Sequence, residues 1–190
     1  MESPAPGLVC RHGRRRWQRP QQGVLKLNVD GSFKIQEASG GWGYVIRYES
    51  GAVIQSAGWG RKDFACSPLH MELLACLQGL GAAIQLGIQN LELETDAKQV
   101  VEAVHGNEFR LSLVGGLVHE VKELLAENFM QPLVKHAPRE CNHVAHELAA
   151  LGSKSEEAQP SVLAGVPERI MFLVSGDLAD MVDQWNCEFP

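Results

Sequence analysis

Two short segments of this chain alternate apolar and polar residues, and each ends at an aspartate. The first covers residues 25–29 and is followed by Asp30; the second covers residues 91–95 and is followed by Asp96. An alternation with a period of two predicts β-strands that bury one face. In both strands the terminal aspartate belongs to the polar face. The pattern therefore predicts a sheet with two carboxylates at strand ends.

A third carboxylate lies between these strands in sequence, near the start of a predicted helix. Ser67 and Pro68 are typical of a helix N-cap and first helical residue. Apolar residues then recur at helical spacing, at Leu69, Leu73, Cys76, Leu80 and Ala83. Glu72 lies on the flank of that stripe. We expect this helix to pack across the sheet face that carries Asp30, with Glu72 directed toward it.

The three acidic residues have two interpretations. Taken singly, each is typical of a solvated surface, since charged residues are mostly exposed. Taken together, three carboxylates beside a core are costly unless cations or hydrogen bonds compensate them. Hard oxygen ligands of this kind suit Mg²⁺ or Mn²⁺, and two such ions are able to stabilise both reacting oxygens of a phosphodiester. Asp30, Glu72 and Asp96 are therefore candidate metal ligands.

Composition agrees with one folded domain carrying terminal extensions. The chain has 190 residues, of which 45% are hydrophobic and 21% charged, enough for a sizeable core. It contains no apolar run of membrane-spanning length and no apolar segment typical of a secretory signal. Its five cysteines are scattered, which favours reduced thiols and an intracellular location, nuclear or cytoplasmic.

Charge divides the chain into three parts. Residues 1–22 have five arginines and one acidic residue and are expected to be a flexible basic segment. This segment is suited to contact phosphates or to act as a nuclear import signal, and a solvated tail explains it equally well. Residues 23–151 are expected to form the domain. Residues 152–190 are expected to form a linker and a short C-terminal helix.

The periodicity predicts the order β-β-β-α-β-α-α-β-α. The expected strands cover residues 25–31, 41–47, 52–57, 90–95 and 133–136. The expected helices begin at Ser67 and cover, further on, residues 97–104, 112–128 and 142–151. An antiparallel hairpin followed by strands that alternate with helices indicates a mixed sheet in an α/β fold.

Five sequence motifs resemble those of type 1 ribonuclease H domains. They are Gly23 to Phe33, Gly40 to Arg47, Met71 to Ala75, Glu94 to Asp96 and Arg139 to Ala149, in that order. The chain most resembles the plant subgroup related to the ribonuclease H portion of non-LTR retrotransposon reverse transcriptases, over residues 17–151. The resemblance implies a ribonuclease-H-like fold with a five-stranded mixed sheet and helices on both faces. It also implies a monomer that uses two Mg²⁺ or Mn²⁺ ions to hydrolyse the RNA strand of RNA–DNA hybrids.

The resemblance assigns catalytic roles beyond the three carboxylates. His146 occupies the position at which active enzymes usually have a fourth carboxylate, an aspartate. An imidazole is a poorer Mg²⁺ ligand than a carboxylate, so weaker or Mn²⁺-preferring cleavage is expected. His136 matches the loop histidine that assists proton transfer or product release, although an ordinary histidine at a strand end explains it equally well.

Contacts with nucleic acid are expected at five positions: Gly31, Ser32, Gly41, Lys98 and Asn142. Small residues let the main chain approach the 2′-hydroxyl groups of an A-like duplex. Asn142 is also predicted to cap the last helix of the domain. The basic protrusion of several cellular enzymes is missing, since residues 104–116 contain one arginine and no lysine. A catalytically weak, retroelement-derived nucleic-acid-binding or interaction module is therefore an alternative to the nuclease.

Overall fold

The computed structural model describes residues 16–37, 39–61, 65–155 and 159–179. Its strands are β1 (Leu25–Lys34), β2 (Ser39–Arg47), β3 (Val53–Arg61), β4 (Leu91–Thr95), β5 (Leu133–His136) and β6 (Ser161–Leu163). Its helices are α1 (Pro68–Gln85), α2 (Lys98–His105), α3 (Gly115–Asn128), α4 (His143–Gly152) and α5 (Met171–Ala179). Short 3₁₀ turns cover Ile35–Glu37, Arg139–Cys141 and Glu168–Ile170.

The strands form one mixed sheet in the order β5-β4-β1-β2-β3-β6. β1 is antiparallel to β2 and parallel to β4, and β4 is parallel to β5. The predicted α/β class and mixed sheet are confirmed, but the predicted number of five strands is wrong. The sixth strand, β6, pairs antiparallel with β3. Because β6 has three residues, all exposed, its sequence carries no readable alternation, and only its pairing with β3 makes it a strand.

Helices cover both faces of the sheet, as predicted. α1 lies against Leu27 and Val29 of β1, whose side chains face away from Asp30. The expectation that α1 packs on the Asp30 face is therefore wrong. Since α1 carries a long apolar stripe, it packs on the apolar face of β1, and the polar face, which carries Asp30, lies toward α4.

Glycines in β2 and β3 allow α4 to lie close to the sheet. A Cβ atom built on Gly43 would overlap the amide nitrogen of Ala149, and one on Gly58 would overlap the carbonyl oxygen of Leu148. The same holds for Gly41, which lies against Ser153 at the end of α4. The close approach of α4 therefore depends on these residues having no side chain.

We expect Gly43→Ala to lower the free energy of unfolding by about 1–3 kcal/mol, the usual effect of overpacking. The added methyl group would force α4 away from the sheet. Gly81→Ala is the matched control, because a Cβ at Gly81 in α1 meets no atom within 4 Å. Alanine in a helix is favoured by about 0.5–1 kcal/mol over glycine, so this control is expected to be stabilised. Urea denaturation of both variants measures the difference, and equal effects would contradict the packing argument.

Segments outside residues 23–151 contribute to the folded unit. Trp17 is 1% exposed and donates a hydrogen bond to Asn28, on the face of β1 that carries Asp30. α5 contacts α4, and its Leu178 approaches the β2–β3 turn at Gly51. The expected flexible segment, residues 1–22, falls mostly on residues 1–15, which lie outside the described residues. Within the described residues no disulfide joins Cys66, Cys76 or Cys141.

No helix in the described ranges combines the length and the apolar character needed to cross a bilayer.

Candidate metal centre

The pairing of β1 with β4 brings Asp30 and Asp96 side by side. Val29 pairs with Thr95 in the last register position of this parallel ladder; Asp30 is the next residue of β1, and Asp96 is the first residue after β4. Glu72 approaches from the first turns of α1. One carboxylate oxygen from each of the three residues lies within 4.8 Å of the others. The structure therefore brings together the three residues predicted as metal ligands.

Glu72 reaches the aspartates although α1 lies on the other face of the sheet. β4 ends at Thr95 while β1 continues to Lys34, so beyond Val29 no β4 residue pairs with β1. Gly31 leaves room there, because a Cβ at that position would overlap the backbone of Glu72. The Glu72 carboxylate passes the end of β4 and accepts a hydrogen bond from Thr95 Oγ1 at 3.3 Å.

The negative charges of Glu72 and Asp96 are poorly compensated. Glu72 is 9% exposed, and burial together with Asp30 and Asp96 raises its pKa to about 9. Burial and the neighbouring Asp30 raise the pKa of Asp96 to about 6. A cluster of hard oxygen donors that repel one another in this way fits a divalent cation, which would stabilise all three in their charged forms.

The metal-free protein is expected to lose stability as the pH rises from about 4.5, the ordinary pKa of glutamate, toward about 9, the pKa of Glu72 in the folded state. Between these values folded Glu72 keeps a proton that the unfolded chain has lost. The folded state thus binds more protons, and the free energy of unfolding falls with rising pH. Glu72→Gln keeps the shape without the charge and is expected to remove most of this slope. Urea denaturation in a chelator across the pH range tests this.

The control for this experiment is Glu120→Gln, which neutralises an exposed carboxylate in α3. It is expected to leave the pH dependence of stability unchanged. An equal slope in the parent and in Glu72→Gln would contradict the assignment.

His146 contacts the centre from the first turn of α4. Its Nδ1 lies 3.1 Å from Asp30 Oδ2, and its Nε2 lies 2.6 Å from Arg139 Nη2. Since a guanidinium only donates, Nε2 accepts from Arg139, and the ring proton on Nδ1 is donated to Asp30. The hydrogen bond to Asp30 raises the pKa of His146, and burial and the Arg139 charge oppose that change.

Arg139 also belongs to this centre. It begins the last of the five sequence motifs, but no role was predicted for it. It lies in the 3₁₀ turn before α4, and its charge partly opposes the rise in the pKa of Asp96 that burial and Asp30 cause. A signal was present, because an arginine in a short turn ahead of a helix is able to reach the first helical turn. The contact with His146 nevertheless depends on the bend between the turn and α4, which periodicity does not predict.

His136 lies at the rim of the centre, at the end of β5. Its ring is exposed, and Nε2 is 3.2 Å from the backbone oxygen of Asp96, to which it donates when protonated at that nitrogen. The structure therefore brings His136 beside a predicted metal ligand, in contact with its backbone.

The residues predicted to contact nucleic acid are not all accessible. Gly31 and Ser32 are partly exposed beside the acids, and Lys98 is exposed at the start of α2. Gly41 is buried against the end of α4, so the expectation of a contact there is wrong. Asn142 occupies the N-cap position but makes no capping hydrogen bond.

The Asn142 side chain instead donates to the backbone oxygen of Val29 at 2.8 Å. It is 2% exposed. The predicted capping bond is therefore wrong, and the predicted contact with nucleic acid falls on a side chain that is buried in the structure. The hydrogen bond of Asn142 depends on how α4 packs on β1, and a local sequence pattern does not predict that packing.

The fold and the clustered acids define a ribonuclease-H-like α/β domain. Residues 28–152 match the family model described as reverse transcriptase-like, and the chain belongs to that family. A comparison with curated protein sequences gave no match.

Solved structures share this fold, among them the following three. An N-terminal RNase H domain from Mycobacterium tuberculosis is 22% identical, with a TM-score of 0.62 over 68% of this chain and 93% of that one. RNase H1 from the archaeon Halobacterium salinarum is 20% identical, with a TM-score of 0.57 over 68% and 96%. LC11-RNase H1, solved in complex with an RNA/DNA hybrid, is 18% identical, with a TM-score of 0.62 over 68% and 96%. At these identities the likeness establishes the fold.

Proposed function

We propose that this protein is a metal-dependent endonuclease that hydrolyses the RNA strand of RNA–DNA hybrids. The observation that carries the proposal is the convergence of Asp30, Glu72 and Asp96, whose oxygens lie within 4.8 Å of one another. Within the described part of the chain this is the single group of at least three potential metal-ligating side chains. It lies in a fold shared with an RNase H1 that was solved with an RNA/DNA hybrid.

Asp30, Glu72 and Asp96 would hold two Mg²⁺ or Mn²⁺ ions, and His146 would add a nitrogen donor once its hydrogen bond with Arg139 or Asp30 is exchanged for the metal. Divalent ions at such a site supply an activated water and stabilise negative charge on phosphate oxygens. The carboxylates fit this role because they are hard donors, and because Glu72, with its raised pKa, gives up a proton when a cation arrives.

The other residues of the site would position the substrate and the proton. Arg139 offers donors to a phosphate oxygen beside the acids, and its contact with His146 leaves further N–H groups available. His136 would hold a proton at Nε2 near the reacting bond, once its contact with the Asp96 carbonyl is exchanged for one with substrate. The main chain at Gly31 and Ser32 would approach a 2′-hydroxyl group.

We expect Mn²⁺ to bind more tightly than Mg²⁺, because the His146 nitrogen suits a transition ion better than Mg²⁺. Titration calorimetry of the parent with each ion measures the two affinities. Asp30→Asn is expected to weaken both. Equal binding by the parent and Asp30→Asn would place the ions elsewhere on the protein.

Cleavage of end-labelled substrates tests the function. The parent is expected to cut the RNA strand of a hybrid in Mn²⁺, and more weakly in Mg²⁺, with no cleavage in a chelator. A DNA duplex of the same sequence is the matched control, because it lacks 2′-hydroxyl groups, and it is expected to stay intact. Absence of hybrid cleavage in both metals would contradict the proposal.

A second candidate is a catalytically weak nucleic-acid-binding or interaction module derived from a retroelement. This candidate is favoured by His146, which contacts both Asp30 and Arg139 and stands in the place of a fourth carboxylate. Salt-sensitive binding of a hybrid without cleavage in either metal would support this candidate.

We further propose that the chain belongs to the plant subgroup related to non-LTR retrotransposon reverse transcriptases and acts as a monomer. The five motifs support the first proposal. A nuclear or cytoplasmic location stays a prediction.

A further inference from the structure

A buried polar network ties β1 to β4 beside the candidate metal centre. Lys26 and Asn28 of β1 share a face with Asp30, and Glu92 and Glu94 of β4 lie opposite them in register. Lys26 Nζ contacts Glu94 Oε1 at 2.6 Å and Glu92 Oε1 at 2.7 Å. Asn28 Nδ2 donates to Glu94 Oε2 at 3.0 Å. These bonds join the two strands at the register positions that precede the two aspartates.

Trp17 covers this network on the side that faces away from the sheet. Its Nε1 donates to Asn28 Oδ1 at 2.8 Å, and the next residue, Gln18, accepts from Lys26 Nζ through its backbone oxygen at 2.7 Å. The indole ring lies 5.3 Å from Lys26 Nζ and 4.5 Å from the guanidinium carbon of Arg47. The segment before β1 thus satisfies the Asn28 Oδ1 atom and one donor of Lys26 Nζ, while Glu92 and Glu94 of β4 satisfy their other side-chain donors.

C-terminal residues hold Trp17 in place on its other side. Arg47 Nη1 donates to Asp177 Oδ2 of α5 at 2.8 Å, and both side chains are largely buried. Gly51 lies between Leu178 of α5 and the Trp17 ring. The two ends of the described chain therefore meet over the N-terminal half of β1.

The polar network opposes the electrostatic repulsion between Asp30 and Asp96 of the candidate metal centre. Asp30 and Asp96 follow the last register pair of β1 and β4, so repulsion between their charged forms would act to separate the strands at the point where the backbone ladder ends. Asn28–Glu94 is the nearest side-chain bond that resists this separation. Because it is buried, it is stronger than the same bond in water, and it depends on Trp17 to exclude water.

We infer that Trp17 is a positioning residue that holds the spacing of Asp30 and Asp96 through Asn28 and Glu94, and thereby sets the affinity of the centre for divalent metal. The inference rests on the proposed function, since it concerns the same metal centre. It adds a determinant that lies outside the cluster of acids.

The test compares Trp17→Phe with Tyr44→Phe in the full chain. Trp17→Phe keeps a large ring but removes the donor to Asn28. It is expected to raise the Mn²⁺ dissociation constant about tenfold, the lower end of the effect of losing a partner of a metal ligand. Tyr44→Phe also removes one hydrogen bond from a buried ring, that between Tyr44 and Gln55, but this bond joins β2 to β3. The control is expected to leave the Mn²⁺ affinity unchanged at a similar loss of thermal stability.

Amide hydrogen exchange without metal is the second measurement. In Trp17→Phe the amides of residues 28–31 and 94–96 are expected to exchange faster than in the parent, while those of β2 and β3 keep their rates. Tyr44→Phe is expected to show the opposite pattern. Glu94→Gln is a further variant that weakens the tie from β4 without changing Trp17, and it is expected to follow Trp17→Phe in both measurements.

The outcomes separate this inference from the proposed function. Unchanged Mn²⁺ affinity in Trp17→Phe would overturn the inference, even if exchange became faster, because Trp17 would then be a structural residue only. If the parent itself bound no Mn²⁺, the proposed function would fail, and so would the role of Trp17 in metal affinity. Faster exchange confined to β1 and β4 would then show only that Trp17 holds the two strands together.

Discussion

Asp30→Asn is expected to reduce hybrid cleavage by at least about 10³-fold, corresponding to ~4 kcal/mol of transition-state stabilisation. Asp30 lies within 4.8 Å of both other acids and also contacts His146, so we expect it to be the carboxylate on which metal binding depends most. The asparagine side chain has the shape of the aspartate side chain but lacks its negative charge. Because Asp30 is 3% exposed and repelled by two carboxylates, the variant is expected to fold and to be no less stable than the parent without metal.

The measurements are initial rates on a labelled hybrid in Mg²⁺ and Mn²⁺, together with thermal unfolding in a chelator. Glu120→Gln is the matched control, since it makes the same kind of change on the exposed surface of α3. It is expected to cut at the parental rate. Cleavage by Asp30→Asn within a few-fold of the parent would show that the reaction occurs without this cluster.

His146→Asp is expected to increase the rate of Mg²⁺-supported cleavage about tenfold or more. A tenfold increase corresponds to an activation barrier lower by ~1.4 kcal/mol. The first turn of α4 already directs residue 146 at Asp30, with a contact of 3.1 Å. A carboxylate there would add a hard oxygen donor and would pair with Arg139, which now contacts the imidazole. Because Mn²⁺ accepts nitrogen ligands, the gain in Mn²⁺ is expected to be smaller.

His146→Asn separates charge from shape in this experiment. It has the size of the aspartate variant without the negative charge, and it is expected to show no gain in Mg²⁺. Equal gains in the two variants would indicate that removal of the histidine, and not a fourth carboxylate, is responsible. If the parent and His146→Asp both leave the hybrid intact, the binding module becomes the better explanation.

The strands and helices that carry the acids were predictable because each is a local pattern. Alternation in residues 25–29 and 91–95 follows from burying one face of a strand. Ser67 caps α1 as predicted, with its Oγ accepting from the His70 amide at 3.1 Å. By contrast, α3 begins at Gly115, whereas periodicity predicted a start at residue 112. Helix ends without a capping side chain leave little trace in the sequence.

The side of the sheet on which α1 packs was predicted wrongly, yet the carboxylates still converge. Periodicity shows which side chains share a face, but the route of Glu72 past the end of β4 depends on the relative lengths of β1 and β4 and on Gly31. The relative lengths of the two strands matter only once β1 and β4 pair, and these strands are more than 60 residues apart in the chain. The roles of Gly41 and Asn142 in packing α4 have the same origin.

The fold class and the three acids follow from the amino-acid sequence, since they are encoded in spacing along two strands and a helix, and the position of His146 follows from the resemblance of its motif. The contacts of Arg139 with His146 and of Trp17 with Asn28, and the sixth strand, arise only when distant segments meet. The physical reason is that hydrophobic periodicity reports which face of an element is buried. Which partner buries that face, and at what distance, is decided by the packing of the whole chain.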